Sequence, residues 1–377
     1  MFHPFQVEQF LSETEQTAQF NFSESGVHPL TLGELMELAD LDVARLKGTA
    51  LDYPEVNGMI TLREKIAALY PGAGPDNVLV TVGASEANHL VAATLLEPGD
   101  RAIALRPTYQ QLPGNALNSG FQVDTISLVE SDGWALDREA LAAESATPAK
   151  LLHLVNPNNP TGRILSAEER AAVVAAADRC GAWIVADEVY AGTEREANEP
   201  TPSFWGAHER VIAINSMSKA YGLPGLRLGW VVAPGELIIA FWRRHEYATI
   251  TATMLGNLLA DAALDPAVRP KLTARARRLI RRGFDKLTEG LAVHPGVFSV
   301  VPPQASAMSF VKYDLPIDSR SFAQRLLRDH GTLVVPGACF GLEHHFRFSS
   351  ALPDDVLSAG LERLNVLVSE IRAEAQP

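Results

Sequence analysis

Between about residue 60 and residue 250 the chain alternates short apolar runs with longer amphipathic ones. Seven runs, NVLVTV, AIAL, VDTISLV, LLHLV, WIVA, VIAI and LGWVV, have the length and β-branched content of strands. Between several of them lie stretches of helical period, among them ASEANHLVAATLLE and SAEERAAVVAAADRC. The second opens on Ser166 with Glu169 three residues later, the reciprocal cap of a helix start. This alternation predicts an α/β fold whose large domain is a mostly parallel seven-stranded sheet flanked by helices. After about residue 250 the pattern changes. A helical region over roughly 252–292 leads to GVFSVV, ASAMSFVKY, a helix near SRSFAQRLLRDHG, then TLVVPG, HFRFSS and a closing amphipathic helix. That order predicts a smaller α+β domain. The expected division is an N-terminal arm over 1–35 that joins the small domain, a large domain over 36–250 and a small domain over 251–377.

Composition narrows the class. Of 377 residues, 47% are hydrophobic and 20% charged, ample for a large core. The net charge is −13, and the one basic stretch, RARRLIRRGFDK (275–286), has the spacing of a solvated helix face. Neither a nucleic acid nor an anionic membrane is an expected partner. Cys180 and Cys339 are isolated in apolar settings, which suits neither a disulfide framework nor a metal centre and points to a reducing cytoplasm. The N-terminus lacks the basic start and apolar run of a secretory signal, and no stretch approaches the ~18 apolar residues of a membrane span.

Unusual residues gather at predicted strand ends, where open α/β sheets bind ligands. VTVGASEANHL sets Gly83, Ala84 and Ser85 between a strand and a helix, fit either for a phosphate on free N–H groups or for an ordinary capped turn. In HLVNPNNPTGRIL a strand is followed by two prolines and three asparagines, so Asn159 serves either a ligand oxygen or an Asx turn. In WIVADEVYAG, Asp187 ends an apolar strand beside Glu188 and Tyr190, and a buried carboxylate there wants a cation: a structural arginine or a protonated ring nitrogen. INSMSKAYGLPGLRLGWVV (214–232) places Lys219 among small and apolar residues. A buried ammonium is costly unless it is paired or becomes a neutral amine, and a neutral amine attacks carbonyls.

NPNNPTG, DEVY and SMSKAYGLPGLRLGW resemble, in order and separation, the motifs of the class I/II aminotransferases, the fold-type-I pyridoxal-phosphate enzymes. The resemblance runs over essentially the whole chain. It implies that Lys219 forms a Schiff base with pyridoxal 5'-phosphate and, once freed, moves the proton at the substrate's Cα. Asp187 would pair with the pyridinium nitrogen, Tyr190 and Asn159 would hydrogen-bond the phenolic oxygen, and Tyr109 would stack on the ring. Ala84, Ser85, Ser216, Ser218 and Arg227 would hold the phosphate, the arginine fork suiting a dianion. Tyr53 matches a tyrosine that reaches the neighbouring subunit's phosphate, which implies a homodimer with shared active sites. Arg347 falls where the family grips the substrate's α-carboxylate, with Gly26 and Asn159 beside it.

The expected reaction moves the amino group of an L-amino acid to a 2-oxo acid. No second arginine for a dicarboxylate is assignable. SGVHPLTLGEL, SKAYGLPGLRLGW and LVVPGACFG are also similar to stretches of the capreomycidine synthases, fold-type-I enzymes that cyclise a hydroxylated arginine. That likeness keeps open a non-transaminating reaction (cyclisation, elimination or oxidation) on an arginine-like amino acid, with Glu24 and His28 either reading its side chain or simply exposed. A non-catalytic transcriptional sensor would need a DNA-binding segment, and a nicotinamide dehydrogenase an early Gly-x-Gly-x-x-Gly turn; neither is seen.

Overall fold

The computed structural model describes residues 2–375. The chain enters through a helix, Gln6–Thr14, and a two-residue strand β1 (Phe20–Asn21). All seven apolar runs form strands of one sheet: β2 (Val78–Thr81), β3 (Arg101–Arg106), β4 (Gln122–Val129), β6 (Leu151–Val155), β7 (Trp183–Asp187), β8 (Val211–Ser216) and β9 (Gly229–Val232). An eighth strand, β5 (Ala135–Leu136), pairs antiparallel with the end of β4, so the order is β2-β9-β8-β7-β6-β3-β4-β5. Strands β8, β7, β6, β3 and β4 run parallel, and β9 runs against both its neighbours. Two residues at an edge are too few to show an alternation, which is why the sequence predicts seven strands and the sheet has eight.

The second sheet has the order β10-β11-β14-β13, from β10 (Phe298–Val300), β11 (Met308–Tyr313), β13 (Val335–Pro336) and β14 (His345–Ser349). Its pairings are all antiparallel. The run TLVVPG serves two partners. Its first half, β12 (Thr332–Leu333), pairs with β1, and its second half pairs with β14. The same N-terminal segment sends Phe22 onto Phe348, with ring centroids 4.5 Å apart, so the start of the chain is tied to the second sheet by backbone pairing and by a stacked pair.

The helical region over 252–292 is two helices, Met254–Ala263 and Arg269–Leu291, the second starting with Pro270 in its first turn, where a missing N–H costs nothing. The basic stretch on the second helix is not solvated throughout. Arg277 is buried and pairs with Glu194 at 2.8 Å. The Ser166 cap forms as its spacing predicts, Ser166 accepting from the Glu169 N–H at 3.2 Å while Glu169 accepts from the Ser166 N–H at 2.6 Å. Among the described residues no helix is long and apolar enough to cross a membrane.

Candidate active site

The carboxyl ends of β2, β6, β7 and β8 open on a cavity of about 300 Å³. Its walls include Ala84, Ser85, Tyr109, Asn159, Asp187, Tyr190, Ser216, Ser218, Lys219, Arg227 and Arg347, so these positions, scattered over 264 residues of sequence (84 to 347), meet in one place. Gly26 packs against the lysine: a Cβ there would lie 3.1 Å from the Ser218 carbonyl oxygen and 3.6 Å from Lys219 Cδ. Tyr53 is elsewhere, 81% exposed and outside the cavity wall. Glu24 lines the cavity, whereas His28 is exposed and lies away from it.

Register explains the grouping. Val155, Asp187 and Ile214 stand side by side across β6, β7 and β8, so the residues just beyond them share one rim. Asp187 accepts from Asn88 Nδ2 at 2.9 Å and from the Val189 N–H at 3.3 Å. Burial pushes its carboxyl up to about 6 from 3.8. Glu188 turns the other way, accepting from Ser203 Oγ at 2.9 Å and the Phe204 N–H at 2.7 Å, with burial raising it to about 7. Of the two adjacent carboxylates only Asp187 faces the cavity.

Across from it a buried chain of hydrogen bonds runs through Asn159. Its Nδ2 donates to the Tyr190 hydroxyl at 3.0 Å, and its Oδ1 accepts from Arg347 Nη1 at 3.0 Å. Arg347 Nη2 donates to the Ser23 carbonyl at 2.5 Å, while its Nε has no partner. Burial pushes the Tyr190 hydroxyl up to about 12 and pulls the Arg347 guanidinium below its ordinary value. Lys219 Nζ donates to Ser25 Oγ at 2.7 Å, and burial lowers its pKa against the opposing charge of Glu24.

The third corner is the turn at Gly83, whose φ of +75° favours glycine. Glu86 holds the turn by accepting from the Val82 N–H at 2.6 Å, and is itself hydrogen-bonded to His245 at 2.8 Å and Thr249 at 2.6 Å. Arg227, on a left-handed residue (φ +47°), bridges Ser218 Oγ and the Pro224 carbonyl at 3.5 and 3.1 Å. Gly229 lets β9 approach this turn: a Cβ there would fall 2.6 Å from Ala84 N and 2.6 Å from Gly83 C. Gly229→Ala should therefore destabilise the protein by about 1–3 kcal/mol through overpacking. It should also weaken cofactor binding, because the turn must move. Thermal melting and a cofactor titration check both, and unchanged affinity would show that the turn is not part of the site.

Among the described residues no carboxylate stands within ion-pair distance of Lys219, Arg227 or Arg347, and no cation within that distance of Asp187. Such a set lacks a ligand with a dianion at the Gly83–Arg227 corner, a carbonyl at Lys219 and a cationic ring atom at Asp187. The residues present fit pyridoxal phosphate (PLP). Asn88, Ser23, Ser25 and Glu8 are contributors that sequence reasoning passes over. Asn88 had a signal, since it follows Ser85 by one helical step of three. The others had none.

A doubly wound sheet with a half-buried lysine in the cavity, an aspartate at a strand end and an arginine fork beside a glycine turn defines a PLP enzyme of fold type I. The family model "Aminotransferase class I and II" matches residues 21–364. Capreomycidine synthase of Streptomyces vinaceus is 31% identical over 372 residues, covering 95% of this chain and 92% of that protein. A PLP-dependent aminotransferase from Streptococcus suis superposes with a TM-score of 0.92 at 32% identity, over 98% of each chain. A PLP-dependent cyclase, OrfR, superposes with a TM-score of 0.89 at 28% identity, over 100% of this chain and 98% of that one. The chain belongs to the class I and II aminotransferases, and pyridoxal phosphate is its cofactor.

Proposed function

We propose that the protein transfers the amino group of an L-amino acid to a 2-oxo acid, using PLP held at Lys219. The cofactor supplies a carbonyl that condenses with amines and a ring that accepts electrons from the substrate's Cα. In this reading Arg227, Ser216, Ser218 and the Ala84–Ser85 turn bind the phosphate dianion. Asp187, kept in place by Asn88, holds a proton on the ring nitrogen. Tyr190 and Asn159 donate to the ring's phenolic oxygen, and Tyr109 covers one ring face. Arg347, whose Nε has no protein partner, would take the substrate's α-carboxylate on its guanidinium and so fix the orientation of the Cα bonds. Lys219 would take the proton from the substrate's Cα and return it. One observation carries the reading: Lys219 lies in the same cavity as Asp187, with Arg227 and Arg347 both lacking an anion.

The exposed Tyr53 supports a homodimer in which it reaches the partner's phosphate, and two buried free cysteines suit a cytoplasmic location. An amino-acid screen with and without 2-oxoglutarate or pyruvate tests the reaction. Stoichiometric transfer that requires the oxo acid is the expected result. Turnover with no acceptor would replace transamination by a second reading, a cyclisation, elimination or oxidation on the same bound amino acid, which the likeness to a cyclase and to capreomycidine synthase favours.

A further inference from the structure

The cavity holds more negative charge than its proposed cofactor and carboxylate sites explain. The helix Gln6–Thr14 and the residue after it place Glu8, Leu11 and Glu15 on one wall, and Glu24 lines the cavity from the segment after β1, immediately before Lys219's partner Ser25. Among the described residues none of these glutamates lies within ion-pair distance of a cation. Glu8 is held in position: one carboxylate oxygen accepts from the Tyr109 hydroxyl at 2.6 Å, leaving the other free. The charges of Glu8 and Glu24 reach the centre, since both act on Lys219 and on Arg347.

An acidic wall alone identifies nothing, but its opposite wall carries a receptor. Arg347 is 2% exposed, faces the same cavity and has an unpartnered Nε, a buried donor that a carboxylate can satisfy. A ligand that satisfies both walls is anionic at one end and cationic at the other. Once its α-carboxylate is on Arg347 and its amino group is at Lys219, the remaining substituent must meet Glu8 and Glu24. Leu11, between Glu8 and Glu15, offers an apolar strip for an aliphatic stem.

We infer that the substrate amino acid carries a cationic side chain, a guanidinium or ammonium on an aliphatic stem, read by Glu8 and Glu24. This inference rests on Lys219 and Arg347 having the roles proposed above, and it holds whichever reaction follows. A carboxylate side chain would face like charges and is excluded. A guanidinium suits two carboxylates through its planar set of donors. Glu8 and Glu24 are specificity residues, and neither takes part in the proton transfer.

The test uses the PLP-loaded protein and follows the cofactor's visible absorption as L-arginine, L-lysine, L-citrulline, L-norleucine and L-glutamate are added. Citrulline is the uncharged near-isostere of arginine. Arginine or lysine should perturb the absorption at concentrations at least about tenfold below those of citrulline and norleucine, as a charged hydrogen bond is worth. Glutamate should be weaker still. In Glu8→Gln, Glu24→Gln and the double variant the arginine-to-citrulline ratio should fall by about tenfold or more. Glu24 is exposed, so its variant carries little risk to folding. Equal or tighter binding of citrulline, norleucine or glutamate, or an unchanged ratio in the double variant, overturns the inference while leaving the site reading intact. If no amino acid perturbs the absorption, the reading of Lys219 and Arg347 fails and the inference falls with it.

Discussion

Lys219→Ala will lower turnover by on the order of 10⁴-fold, because one substitution removes both the cofactor's attachment and the group that moves the Cα proton. The fold should survive. Lys219 makes one side-chain hydrogen bond, to Ser25, and a buried amine without a carboxylate partner contributes little to stability. Two readouts separate this from general damage. The melting temperature should stay close to that of the cofactor-free parent, and the visible band of the lysine-bound cofactor should be absent even at saturating PLP. Added small amines should restore part of the activity, since the cavity left behind is polar and open to solvent. A variant that keeps the parental band would mean that another amine holds the cofactor.

Asp187→Asn should separate stability from function. In the cofactor-free protein burial holds the Asp187 carboxyl at about 6 against 3.8 for a free side chain. A carboxyl raised in the folded state contributes stability that is fully present below about 4 and is lost as pH rises through about 6. The charged form at pH 7 then costs the cofactor-free protein about 3 kcal/mol, from about two pKa units. The asparagine variant avoids that cost, less whatever is lost at the Val189 N–H, so without cofactor it should melt above the parent at pH 7 and level with it near pH 4. With cofactor the order reverses. The variant cannot hold a proton on the ring nitrogen by charge, and turnover should fall by about 10²–10³-fold, the scale for losing one preorganised electrostatic partner. Glu188, raised to about 7 and turned away from the cavity, gives both proteins a shared loss of stability between about pH 5 and 7. A variant less stable than the parent without cofactor at pH 7 would show that Asp187 has a structural cation after all.

The sheet was legible because six of its strands are buried on both faces and read as apolar runs, while the part-exposed β4 keeps β-branched residues at alternate positions. What escaped were features set by partners distant in sequence. The division of TLVVPG between β1 and β14, and the two-residue strand β5, depend on pairing that no local pattern records. The site divides in the same way. Asp187, Asn159 and Lys219 announce themselves as polar residues in apolar surroundings at strand ends, whereas Arg347 is legible only through its place in the family's order of motifs. Ser25 and Glu8 had no such mark. Their contacts with Lys219 and Tyr109 span 194 and 101 residues of sequence, and only the fold of the N-terminal segment brings them in.

The central claim, that Lys219 carries the cofactor, is tested most directly by reducing the PLP-loaded protein with borohydride, digesting it and locating the pyridoxyl group by mass spectrometry. The predicted result is a single modified peptide with the group on Lys219. A pyridoxyl group on any other lysine, or none on a protein that binds PLP stoichiometrically, would contradict the account.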